Sequence, residues 1–81
     1  MLHMALQDDP KRVGATIRAL RIKSRLSGPD LARQVHLSPS HLSNIERAER
    51  PCTWDVARRL AKALDVELAA ITTESGEDQA G

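Results

Sequence analysis

The chain has 81 residues, one Trp, no Phe, no Tyr and a single Cys. A chain this short supports one core, that core has to be aliphatic, and an internal disulfide is excluded, so an all-α bundle without a second, ligand-sensing domain is expected. Net charge is only +1, yet residues 11 to 62 hold all twelve Lys and Arg against four acids, a local +8, while the ends hold seven acids and no Lys or Arg. A basic middle on a small domain suits a polyanion partner; ordinary solvated helix faces are the plainer alternative. No leader pattern and no run of roughly 18 apolar residues is present, which predicts a cytoplasmic protein with no membrane partner.

Residues 1–9, MLHMALQDD, carry no clean periodicity and are expected to form a flexible N-terminal tail. From residue 10 a helix is expected, with Asp9 as cap, Pro10 at its first position and Val13, Ile17 and Leu20 at i, i+4 and i+7 facing the core. Its other face carries Lys11, Arg12, Arg18, Arg21, Lys23 and Arg25. In SGPD, Ser27 and Asp30 have the spacing of a capping box ahead of Leu31, Ala32 and Val35, predicting a short second helix over about 28–35. After His36 and Leu37, Ser38 and Pro39 start a third helix at once, with Leu42 and Ile45 inward and Ser40, Ser43, Asn44 and Arg47 opposite. Thr53 caps a fourth helix holding Trp54, Ala57, Leu60, Ala61 and Leu64, and Val66, Leu68 and Ile71 lie on a last short turn. Residues 72–81, polar and acidic, read as a second flexible tail, which leaves 10–71 as the working domain.

Two short helices joined by so brief a turn must cross steeply, and the second then projects from the body: a helix-turn-helix over about 27–47. The outer face of that second helix is small and polar where a generic soluble helix would carry Lys, Glu and Arg. Such a face lets a backbone approach the floor of the DNA major groove. Asn44 can offer the paired acceptor and donor that adenine N6 and N7 require, and Ser40 and Ser43 can bond to several bases. Arg47 and Arg50, near the end of this helix and in its following loop, are placed to meet the sugar-phosphate backbone. His41 either joins them or sits on the helix rim.

The stretches VGATIRALR, DLARQVHLSPSHLSNIER and RRLAKALDVELAAI together resemble the phage-repressor and Cro-like (XRE) helix-turn-helix family, over roughly Val13 to Ile71. The resemblance implies a compact five-helix, lambda-repressor-like DNA-binding domain that binds pseudo-palindromic double-stranded DNA as a homodimer. It places base-reading positions on Pro39, Ser40 and Asn44, with Ser43 and Arg47 close by, and a buried ion pair between Arg21 and Glu46. Three positions depart from the family pattern. His36 stands where a turn Gly is usual, and His tolerates the left-handed backbone better than a β-branched residue does. Gly28 stands where a phosphate-binding Gln is frequent, so that contact either falls to the helix-start amides or is missing. Pro39 replaces a frequent polar reader, leaving Asn44 as the main one.

His36, His41 and Cys52 match no common zinc spacing, so no metal or cofactor is expected, and Cys52 reads as a structural thiol. Trp54 reads as a core or edge anchor. Leu68 and Ile71 either close the core or form a dimer patch, and the resemblance favours the dimer. No nucleophile and base, paired acids or phosphate loop can be assembled, so no enzyme is expected. The expected function is a sequence-specific transcriptional regulator, a repressor that occludes a promoter. The alternative is an antitoxin-like subunit that holds a protein partner and uses DNA binding for autoregulation.

Overall fold

The computed structural model describes residues 9–72; apart from Asp9 and Thr72, the two expected tails lie outside the described residues. Five helices follow one another: α1 Pro10–Lys23, α2 Gly28–Gln34, α3 Pro39–Glu46, α4 Trp54–Leu64 and α5 Leu68–Ile71. The first four start where side-chain caps predict them, and α5 starts after Glu67 without one. Asp9 accepts from Lys11 N at 3.0 Å, Ser27 from Asp30 N at 3.0 Å, Ser38 from His41 N at 3.0 Å and Thr53 from Val56 N at 3.2 Å. Each satisfies an amide that the first helical turn leaves without a backbone partner. The box at Ser27 is only half made, because the Asp30 carboxylate turns instead to Arg33 at 2.6 Å.

The helix ends were less legible. Arg25, His36, Ala48 and Asp65 all sit at φ between 59° and 64°, and none is a glycine. At each, the following amide reaches back to a carbonyl five residues earlier, as in Leu37 N to Ala32 O at 2.9 Å and Glu49 N to Asn44 O at 2.7 Å. These pairings close the last turn and send the chain off sharply. An L-residue in this region costs roughly 1–2 kcal/mol, less for Asp and His than for Ala. Replacing Ala48 with Gly should therefore raise stability by about 0.5–1 kcal/mol even after the larger chain entropy of Gly is counted. His36→Gly should be neutral or slightly stabilising. Thermal melts of both variants test this, and a clear loss of melting temperature in either would contradict the turn geometry.

The core lies where the expected stripes meet. Val13 and Ile17 of α1, Leu31, Ala32 and Val35 of the α2 region, Leu42 and Ile45 of α3, and Ala57, Leu60, Ala61 and Leu64 of α4 are all buried, as is Val56. Leu20 and Trp54 are half-buried, which makes Trp54 an edge residue. α3 packs on α1 and α2, and α5 packs on α4 and α1. The tight point of the α1–α3 contact is Gly14. A Cβ there would stand 2.5 Å from Ile45 O and 2.6 Å from Glu46 O, both backbone atoms of the end of α3.

Two expectations about the C-terminal end are corrected. Ile71 is 1% exposed and closes the core, so it offers no surface to a second copy, whereas Leu68 is only partly buried. The apolar spacing could not distinguish these roles; the docking of α5 on both α1 and α4 covers Ile71. Thr72, assigned to the tail, is fully buried and its amide donates to Leu68 O at 3.1 Å. Among the described residues no helix is long and apolar enough to cross a membrane.

Candidate nucleic-acid interface

Two residues between α2 and α3 turn left-handed or remain extended, His36 at φ 61° and Ser38 at φ −73°, ψ 153°. This steers α3 across α2 and away from the body. Leu42 and Ile45 hold its inner side in the core, so the opposite side must face out. Pro39, Ser40, Ser43, Asn44 and Arg47 line one shallow concavity of about 320 Å³ along that outer side. Pro39, Ser40 and Arg47 are exposed, while His41, Ser43 and Asn44 are partly so. The proposed base readers thus share a surface.

What fixes α3 in that pose is Arg21. Its Nε donates to Glu46 Oε2 at 2.7 Å and its Nη2 to Glu46 Oε1 at 3.0 Å, a two-pronged pair. Its Nη1 donates to Leu26 O at 2.9 Å. One guanidinium therefore ties α1 to the end of α3 and to the start of the helix-turn-helix. The two side chains are 14% and 8% exposed. The hydrogen bonds to Glu46 raise the Arg21 pKa above its ordinary value against the opposing pull of burial, so the guanidinium stays charged at any physiological pH.

A second clamp was not read from the sequence. Arg59 of α4 donates to Val35 O at 2.6 Å, at the C-terminal end of α2, and pairs with Asp55 at 2.7 Å. The Asp55 and Arg59 spacing announces the pair; that its free prong reaches α2 is a tertiary fact.

The start of α2 offers little to a phosphate. Pro29 has no N–H and Asp30 N is taken by Ser27, which leaves Gly28 N–H as the amide of that turn without a partner among the described residues. Arg50 is exposed in the loop after α3, and its amide donates to Asn44 O at 3.2 Å. Arg47, though exposed, folds back along the end of α3. Its Nη1 donates to Ser43 Oγ at 2.7 Å, and its Nη2 donates to Asn44 Oδ1 at 3.0 Å and Glu49 Oε1 at 3.1 Å. Sequence spacing put Arg47 beside these residues but could not show that it bonds to them. Cys52 is buried beside Thr53, and burial pushes its thiol up to about 11, so it is protonated and unreactive near neutral pH. Among the described residues no cluster of three or more His, Cys, Asp or Glu gathers.

The fold and this surface define a helix-turn-helix domain, with α2 and α3 as the motif. Residues 12–72 match the model of a helix-turn-helix domain family, and the chain belongs to that family, in the XRE type that its motif residues resemble. Among solved structures it is similar to the restriction-modification controller protein C.AhdI from Aeromonas hydrophila. The two share 32% identity over 78% of this chain and 96% of that one, with a TM-score of 0.75. It is also similar to the P22 c2 repressor, solved in complex with a synthetic operator, at 28% identity over 74% of this chain and 91% of that one, TM-score 0.69. The enzyme HppE shares the fold at 18% identity, TM-score 0.73, with 79% of this chain matching 37% of that one. That likeness concerns the fold alone. No curated protein matches the chain.

Proposed function

We propose that this protein is a sequence-specific regulator of transcription that lays α3 in the major groove of double-stranded DNA and represses by occupying a promoter. The observation that carries the reading is the outer face of α3. Apart from Arg47 at one end, short side chains, Pro39, Ser40, Ser43 and Asn44, line the concavity where a solvated helix would place long charged ones, and an ion pair with little exposure holds that face outward. The surrounding charge agrees. Lys11, Arg12, Arg18, Arg47 and Arg50 are exposed, and cations at a groove rim neutralise phosphates whatever the sequence. In this reading Ser40, Ser43 and Asn44 contact base edges, and Pro39 starts the helix close to the groove floor. Arg47, Arg50, His41 and the Gly28 amide meet the backbone. The operator repressor and the restriction-modification controller among the similar structures support a regulatory role. Two copies on a two-fold site, with Leu68 at their contact, complete the proposal.

Binding measured on two duplexes tests it. Asn44→Ala should weaken binding to a duplex enriched from a random library by about 1–3 kcal/mol, the value of a well-made pair of base contacts, and hardly change binding to mixed-sequence DNA. Equal losses on both would remove Asn44 from base reading. The enriched sequences also report on the dimer, since two half-sites about one helical turn apart require two copies.

A further inference from the structure

Asn44 can read adenine only if its Oδ1 accepts from N6 while its Nδ2 donates to N7. In the free protein that Oδ1 already accepts from Arg47, and Ser43 Oγ accepts from the same guanidinium. The reading surface is therefore covered by the cation expected to leave it for the DNA backbone. Ser43 and Asn44 offer the guanidinium neutral acceptors only; the contact between opposite charges is the one to Glu49. Glu49 is placed for this by the backbone. Ala48 turns left-handed at φ 64°, and the Glu49 amide is fastened to Asn44 O at 2.7 Å, so its carboxylate returns alongside the end of α3.

We propose that Glu49 is a positioning residue that tempers DNA affinity: it holds Arg47 over Ser43 and Asn44, and releases it only in exchange for a phosphate. This rests on the DNA-binding reading above. On mixed-sequence DNA, Arg47 trades one anion for another and little is gained, so Glu49 lowers unspecific affinity. On the correct site the same exchange uncovers Asn44 Oδ1, and adenine takes its place. The acid thus lowers affinity for both duplexes by the same step, and only on the correct site does the uncovered Asn44 add a contact in return.

The test is a double-mutant cycle on the purified chain, titrating a mixed-sequence duplex and a library-enriched duplex with wild type, Glu49→Gln, Arg47→Ala and the double variant. Glu49→Gln should tighten binding to both duplexes about two- to fivefold, the scale of an exposed ion pair. In the Arg47→Ala background the same change should have almost no effect, because Glu49 acts through Arg47. An equal gain in both backgrounds would mean simple repulsion between Glu49 and phosphate and would overturn the proposal, as would no gain in the wild-type background. Failure of wild type to bind either duplex would instead overturn the reading on which the proposal rests, and it shows before any variant is compared.

Discussion

Glu46→Ala is expected to cost about 3–5 kcal/mol, because it leaves the Arg21 guanidinium largely buried without its anion. In a domain of this size each kcal/mol shifts the melting temperature by roughly 4–8 °C. Total stability at about 0.05–0.15 kcal/mol per residue is of the same order as the loss, so the variant should be extensively unfolded at 37 °C. The pair itself is not expected to be a large net source of stability, since both charges lost their hydration to form it. Replacing both residues together, Arg21→Met with Glu46→Leu, should therefore be far milder than either single change. Circular-dichroism melts of the three variants decide the matter. A Glu46→Ala protein that melts within a few degrees of wild type would show that the charge is not held away from water.

Gly14→Ala carries the second large effect, and its sign opposes the usual rule. In a helix interior, exchanging Gly for Ala gains about 0.8–1 kcal/mol of helix propensity. Here the added Cβ meets Ile45 O at 2.5 Å and Glu46 O at 2.6 Å. Neither atom is the end of a flexible side chain, so the last turn of α3 has to retreat from α1. Overpacking of this kind costs about 1–3 kcal/mol, and against two backbone atoms it should exceed the propensity gain, leaving a net loss of up to about 2 kcal/mol. The displaced turn holds Glu46 and borders Asn44 and Arg47, so DNA affinity should fall along with stability. By contrast, Gly28 has open space around it, and Gly28→Ala should leave the fold intact. A stabilised Gly14→Ala protein would mean that α1 and α3 do not approach as described.

The contrast between these two glycines marks where the sequence stops being informative. Helix starts were legible because a cap is local chemistry: Ser27, Ser38 and Thr53 each bind an amide three residues on. The inward stripes were legible because periodicity records burial. Together these placed the helix-turn-helix and gathered Ser40, Ser43 and Asn44 on one face. Gly14 carries no such mark, since nothing in VGAT announces two carbonyls from residues more than thirty positions away. Helix ends were also hidden. The left-handed turns at Arg25, Ala48 and Asp65 carry no glycine to signal them, and only His36 was anticipated, through the family pattern. Ile71 was misassigned because burial by α1 and α4 is a property of docking. The cover of Arg47 over Asn44 was invisible for the opposite reason: spacing puts the two within reach but cannot state which of several partners a long cation selects.

The central claim, that the outer face of α3 meets bases, is tested most directly by amide chemical shifts of the labelled protein titrated with an enriched duplex at low salt. The largest changes should fall on Ser40, Ser43, Asn44 and Arg47, with smaller ones at Gly28 and Arg50 and none confined to the buried positions of α4. Changes centred on α4 and α5 with α3 silent, or no changes with any duplex, would contradict the account.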